Sequence, residues 1–105
     1  MDLLVVGINH TTAPVSLREK IAFTPDQISD ALQSLSNEIK LQELAILSTC
    51  NRTEVYAIHA HNEPDLIIHW LAQQHAVPET IIRSSTYTYS GHSAVKHIMR
   101  VASGL

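Results

Sequence analysis

Segments with strand-like and helix-like periodicity alternate along this chain in an order that few folds accommodate. An apolar, β-branched run at Leu3–Ile8 predicts a strand buried on both faces. Two more strand-like segments, Glu43–Cys50 and Thr53–His59, flank a short polar break and predict a hairpin. Helical segments separate this hairpin from the first strand and from a short strand at 86–89. The order strand, helix, strand, strand, helix, strand, helix predicts an α+β fold, a ferredoxin-like split βαβ sandwich whose antiparallel sheet is covered on one face by helices.

The helices are located by capping residues and by the spacing of apolar side chains. Thr24 followed by Pro25 has the form of an N-cap with proline at the first helical position, and it predicts a four-turn amphipathic helix. The last predicted helix runs into the apolar Leu105 without a charged tail, so we expect that it is cut there. The predicted helices and helical turns begin near Ser16, Pro25, Pro64, Pro78 and Gly91.

Composition narrows the class of protein. The 105 residues, 45% of them hydrophobic, suffice for one core and one domain, which we expect to span residues 1–105 as part of a longer protein. A net charge of −3 leaves no broad basic surface, so any contact with RNA is expected to be local. A lone cysteine excludes a disulfide framework and is typical of a reducing cytoplasm. No apolar run approaches the ~20 residues of a membrane span, so we expect a soluble, cytoplasmic protein without a membrane partner.

The polar turn of the predicted hairpin holds the residues best suited to chemistry. Cys50 is a candidate nucleophile, because a guanidinium two residues away favours the reactive thiolate; the alternative is a buried cysteine that acts as a small hydrophobic residue. Arg52 is suited to binding a carboxylate through two parallel hydrogen bonds, or else it caps the strand or pairs with Glu54. Thr49 and Asn51 either orient a polar substrate or satisfy backbone groups of the turn.

The positions of the histidines indicate whether a metal site is expected, and those of the glycines whether a nucleotide-binding motif is present. His59 and His61 have no third ligand at a recognisable spacing, so no metal site is expected. His69 and His75 are predicted to be solvated on a helix. His97 stands before Ile98 and Met99 on the last helix, where apolar surroundings would favour a neutral ring; both a core position and a functional role remain open. The three glycines form no dinucleotide-binding or phosphate-binding motif.

Four sequence blocks occur in one order and spacing, and they are spread over the chain from residue 7 to residue 105. They are Gly7–Val15, Ser16–Glu19, Leu47–Tyr56 and His97–Leu105. Together they resemble the N-terminal catalytic domain of glutamyl-tRNA reductase, and the Ser-Thr-Cys-Asn-Arg-Thr-Glu stretch is the most specific of them.

This resemblance implies a reaction and a role for each candidate residue. Cys50 would attack the ester carbonyl of glutamyl-tRNA(Glu), forming a thioester and releasing tRNA. Hydride from NADPH would then give glutamate-1-semialdehyde, in the first step of 5-aminolevulinate and tetrapyrrole synthesis. Thr49, Cys50, Asn51 and Arg52 would hold the glutamyl group, with Arg52 on its side-chain carboxylate. His97 would assist, by polarising the carbonyl or by helping the ribose oxygen to leave.

The resemblance also implies what lies outside this chain. NADPH-binding and dimerisation domains would follow residue 105, so that the full-length protein would be a homodimer, and the downstream glutamate-1-semialdehyde aminomutase is a candidate partner. Two other classes of function stay open on the residues alone. One is a non-catalytic ferredoxin-like binding module; the other is a cysteine-dependent acyl transferase or hydrolase that needs no nicotinamide.

Overall fold

The computed structural model describes residues 2–39, 43–59 and 63–104, without the side chains of Asp2 and His59. Strands and helices follow one another in these residues in the predicted order, and the helical turn predicted near Pro78 forms a short helix before the last strand. The elements are β1 (Asp2–Asn9), α1 (Val15–Ile21), α2 (Pro25–Glu38), β2 (Glu43–Ser48), β3 (Arg52–His59), α3 (Pro64–His75), α4 (Glu79–Ser85), β4 (Tyr87–Ser90) and α5 (Gly91–Ala102).

The four strands form one antiparallel sheet in the order β2-β3-β1-β4. The hairpin β2–β3 therefore lies at one side, and β1 is inserted between β3 and β4. Each helical connection thus joins two strands that are separated by a third, which is the split βαβ arrangement. The predicted α+β fold is confirmed.

The central strand β1 is buried on both faces, as its apolar run predicts. Leu4, Val6 and Ile8 point to one face and pack in the main core, where the indole of Trp70 is also fully buried. Val5 points to the other face and is equally buried. Successive side chains of a strand alternate between faces, so β1 can supply both layers at once.

The helices occupy both faces of the sheet, and the expectation that they cover a single face is wrong in this respect. Helices α1, α2 and α3 contribute to the main core on the face of Leu4. Helix α5 contacts β1 and β4 and lies on the opposite face. This second layer carries the polar cluster described below.

Two helix-borne histidines differ in their surroundings. His69 is exposed, as predicted, and pairs with Glu79 at 2.6 Å. The prediction that His75 is solvated is wrong: its ring is half-buried, 4.6 Å from that of Phe23, and burial lowers the pKa of the imidazole. His61 and the side chain of His59 lie outside the described residues, and the described part of the chain contains no cluster of residues suited to a metal ion. None of the described helices has the length and apolar character needed to cross a bilayer.

Candidate active site

The turn between β2 and β3 places Cys50 at its exposed apex. The backbone N–H of Thr49 donates to the carbonyl oxygen of Arg52 at 2.8 Å and closes the turn. The Thr49 hydroxyl oxygen accepts from the backbone N–H groups of Asn51 and Arg52 at 3.2 and 3.3 Å. Thr49 therefore satisfies backbone groups of the turn, one of the two roles that its sequence position allowed. Cys50 is a free, exposed thiol, so the alternative of a buried core cysteine is wrong.

The base of the hairpin is attached to the helical layer by a hydroxyl that the sequence analysis did not select. Ser48 Oγ accepts from the backbone N–H of Phe23 at 2.9 Å and lies 3.2 Å from the hydroxyl of Thr53. Phe23 belongs to the link between α1 and α2. This contact fixes the turn relative to α1 and so determines what stands next to Cys50.

A groove of about 280 Å³ opens beside Cys50 on the side of α1. Helix α1 contributes Val15, Arg18 and Glu19 to its wall, and the turn contributes 49–51. The thiol is thus accessible from a concave surface that presents cationic, anionic and amide groups.

On the opposite face of the sheet, the carboxylate of Glu54 is fully buried beneath α5. Tyr56 donates its hydroxyl hydrogen to Glu54 Oε1, and Tyr87 donates to Oε2. His97 Nε2 also pairs with Oε2. A buried carboxylate is costly unless charged and hydrogen-bonding partners surround it, and these three side chains supply that environment.

Arg52 and His97, two of the predicted site residues, meet at this carboxylate. Arg52 Nη1 lies 3.6 Å from Glu54 Oε2, and the arginine side chain is only 15% exposed. The pairing of Arg52 with Glu54, one of the alternatives left open by the sequence, is therefore present. Arginine carries five N–H donors, so this contact leaves others free for a ligand.

The ring of His97 lies among polar and aromatic groups, not in the apolar surroundings expected from Ile98 and Met99. It stacks on Tyr89 with ring centroids 4.6 Å apart and lies 5.4 Å from the ring of Tyr87. The helical register explains the difference, because His97 faces the sheet whereas Met99 is 66% exposed.

The tyrosines of the cluster remain protonated donors over the physiological range of pH. Burial, and after it the hydrogen bond to Glu54, raises the pKa of Tyr56 and of Tyr87 well above the ordinary value. Tyr56 and Tyr87 thus keep their hydroxyl protons and donate them to Glu54. This permanence suits a cluster that holds Arg52 and His97 in place.

Fold and site together define the class of protein: a split βαβ domain with an exposed thiol on a hairpin turn and an arginine–glutamate–histidine cluster behind it. The sequence model of the protein family described as glutamyl-tRNA(Glu) reductase, N-terminal domain, matches residues 6–105 of this chain. The chain belongs to this family.

Individual relatives agree with this assignment. Over all 105 residues the chain is 50% identical to the glutamyl-tRNA reductase of Pseudomonas putida strain F1 and 48% identical to that of Pseudoalteromonas translucida, and it covers 25% of each. The solved structure of the glutamyl-tRNA reductase from Methanopyrus kandleri matches 98% of this chain with a TM-score of 0.70 and 32% identity, over 22% of its own length. The chain thus spans about a quarter of the length of the curated relatives.

Proposed function

We propose that this chain carries the acyl-transfer site of a glutamyl-tRNA reductase. The Cys50 thiolate attacks the ester carbonyl of glutamyl-tRNA(Glu), a C–S bond forms, the ester C–O bond breaks, and the terminal ribose hydroxyl leaves with a proton. The observation that carries this proposal is the exposed thiol of Cys50, beside a groove and two residues from an arginine held by a buried carboxylate. An aminoacyl ester is already activated, so proximity and charge stabilisation do most of what the thiolate requires.

Arg52 is proposed to bind the side-chain carboxylate of the glutamyl group, together with Asn51 and the backbone of Thr49 and Cys50. Its contact with Glu54 supports this role, because it fixes one edge of the guanidinium and leaves other N–H groups for a ligand. A pre-positioned arginine loses less side-chain freedom when the carboxylate binds.

His97 is proposed to assist the transfer through its second ring nitrogen. Nε2 is occupied by Glu54, so Nδ1 is the nitrogen left for substrate. When Nε2 donates to Glu54, Nδ1 of the neutral ring accepts a proton, and the protonated ring donates from Nδ1 to the carbonyl or the leaving oxygen. Glu54 is then a positioning residue, which holds the ring in its orientation through the contact with Nε2.

The reduction half of the reaction belongs to a part of the protein outside this chain. The described residues do not fit a nicotinamide dinucleotide: the side chain of Glu54 fills the space that Gly7, the one glycine of β1, leaves on the sheet. We propose that NADPH binds to a following domain, that the full-length protein is a cytoplasmic homodimer making glutamate-1-semialdehyde for tetrapyrrole synthesis, and that the aminomutase using this product is its partner.

Trapping the acyl enzyme tests the proposal. Full-length protein is mixed with glutamyl-tRNA(Glu) without NADPH, and the peptide that contains Cys50 is analysed by mass spectrometry. We expect a glutamyl adduct on Cys50 in the wild type and none in Cys50→Ser. Semialdehyde production by Cys50→Ser would contradict the covalent route. If glutamyl-tRNA is turned over at the same rate with and without NADPH, the acyl transferase or hydrolase is favoured instead.

A further inference from the structure

Arg18 stands on the far side of Cys50 from Arg52. Helix α1 packs on the face of the sheet opposite to Glu54 and α5, and Arg18 lines the groove that Cys50 shares with this helix. The thiol thus lies on a turn between two arginines, one on each face of the sheet. The acyl transfer proposed above gives a role to Arg52 and none to Arg18.

The guanidinium of Arg18 is anchored but not satisfied. Its Nη1 donates to the carbonyl oxygen of Ala13 at 2.8 Å, whereas its Nε is buried without a hydrogen-bond partner. Within residues 2–39, 43–59 and 63–104, the ion pairs of arginine involve Arg52 and Arg83, and Arg18 has no acidic partner. Arginine is a donor-only group with five N–H donors, and those that are neither buried with Nε nor used on Ala13 are suited to an anionic acceptor that enters the groove.

The substrate of the proposed reaction carries two anionic parts, one on each side of the bond that breaks. The acyl part has the side-chain carboxylate. The leaving part has a phosphodiester on the 5′ oxygen of the same terminal ribose whose hydroxyl carries the ester. A groove of about 280 Å³ is small for a whole ligand but adequate for a ribose–phosphate unit.

We propose that Arg18 binds the 3′-terminal phosphodiester of the tRNA, and that the groove between α1 and the turn is the subsite of the leaving group. This inference rests on the proposed function and deepens it: Arg52 holds the acyl part and Arg18 the nucleotide part, on opposite sides of the thiol. A single local contact also suits a chain whose net charge is −3. The exposed Glu19 in the same wall opposes a phosphate and keeps the contact weak, which favours release of tRNA.

Binding of uncharged tRNA(Glu) to the full-length protein, measured across salt concentrations, tests the inference without using the thiol. Arg18→Gln is expected to raise the Kd about five- to tenfold and to lower the slope of log K against log salt by about 0.7. Lys20→Gln, which removes a cation from an exposed position of the same helix, should change the Kd less than about twofold. An unchanged Kd and slope in folded Arg18→Gln would overturn the inference.

A comparison of two acyl donors distinguishes contacts with the leaving group from contacts with the acyl group. With glutamyl-tRNA, the second-order rate constant for acylation of Cys50 should be about five- to tenfold lower in Arg18→Gln than in the wild type. With an activated 1-ester of glutamate that has no nucleotide, Arg18→Gln should react at the wild-type rate. Arg52→Lys should lose rate with both. An equal loss in Arg18→Gln with both donors would overturn the inference.

Arg18→Gln also removes the hydrogen bond to the carbonyl oxygen of Ala13, so two further substitutions test the groove without changing that bond. Val15→Glu adds a carboxylate at a position that is 56% exposed and should raise the Kd, whereas Glu19→Gln should lower it. If the Kd of both variants is unchanged, or changes in the opposite direction in both, the groove is not the subsite. If the wild type forms no adduct with either donor, the proposed acyl transfer fails, while the Kd and its salt slope still decide the role of Arg18.

Discussion

Gly7 and Glu54 face each other across the β1–β3 ladder, and the glutamate side chain occupies the space above the glycine. Gly7 also faces Tyr87 on its other side, in β4. The glycine therefore lies between a buried carboxylate and one of its hydrogen-bond donors. Because Gly7 has no side chain, the central strand leaves room for the Glu54 side chain around which the polar cluster forms.

Gly7→Ala should destabilise the fold by about 1–3 kcal/mol, because extra volume in a packed site forces the backbone or its neighbours to shift. A Cβ at this position would lie 2.7 Å from the backbone oxygen of Thr53 and 2.8 Å from Cγ of Glu54. Urea unfolding of the variant measures the change. Thr88→Ala, on an exposed position of β4, is the matched strand substitution and should stay within about 0.5 kcal/mol of the wild type. A Gly7→Ala variant as stable as Thr88→Ala would show that the site is loosely packed.

Two half-buried tyrosines, Tyr56 and Tyr87, predict a loss of stability at alkaline pH. Their folded-state pKa values are raised, so above the ordinary tyrosine value of 10.0 the unfolded chain releases protons that the folded protein retains. Stability from this source is complete below that pH and declines as the pH rises through and beyond it. Tyr87→Phe removes one of the two groups and should flatten the decline, as measured by urea unfolding between pH 8 and about 11.5. Parallel curves for variant and wild type would argue against the burial of the Tyr87 hydroxyl.

His75 predicts a change in stability on the acid side. Burial lowers its folded-state pKa, so below the ordinary value of 6.5 the unfolded chain takes up a proton that the folded protein resists. Stability from this source is complete above that value and is lost as the pH falls through the folded-state pKa. Unfolding at pH 7 and at about pH 5 should show a smaller loss in His75→Gln than in the wild type. His92→Gln, at an exposed helical position, serves as the control, and an equal loss in both variants would refute the prediction.

Arg52→Lys should be more damaging than the retained charge suggests. An ammonium group cannot keep the contact with Glu54 and also offer two parallel N–H groups to a carboxylate. Loss of a charge-assisted contact of this kind costs about 1.5–3 kcal/mol, so kcat/KM for glutamyl-tRNA should fall about ten- to hundredfold. The same assay with glutaminyl-tRNA is the specificity control. An unchanged preference for the glutamyl substrate would remove Arg52 from carboxylate recognition.

The sequence predicted the elements, the fold class and the polar turn that carries Cys50, but neither the exposure of the thiol nor the burial of Glu54. Arg52, Glu54 and Tyr56 alternate in β3 with the smaller side chains of Thr53, Val55 and Ala57, a pattern that ordinarily indicates a solvent-exposed face. Local periodicity does not reveal that α5 covers part of this face. The available signal was Gly7, since an isolated glycine in a β-branched strand marks the close approach of another group.

The position of Arg18 beside Cys50 was not predictable for a similar reason. The two residues are 32 positions apart in the sequence, and their proximity depends on the hydrogen bond from the Phe23 backbone to Ser48. A serine at the end of a strand carries no sequence signal for such a contact. The assignment of Thr49–Arg52 and His97 as the acyl site stays a prediction that the experiments above address.

The alternation of side chains along β1 has a practical consequence for protein engineering. Leu4, Val6 and Ile8 belong to a dry layer, whereas Gly7 belongs to the polar layer, although all four are consecutive or nearly so in the chain. Repacking the dry layer with volume-conserving substitutions can therefore raise thermal stability while the opposite face is left as it is. The central strand separates the two layers, so the stability of the apolar core and the arrangement of the Glu54 cluster can be altered as independent traits.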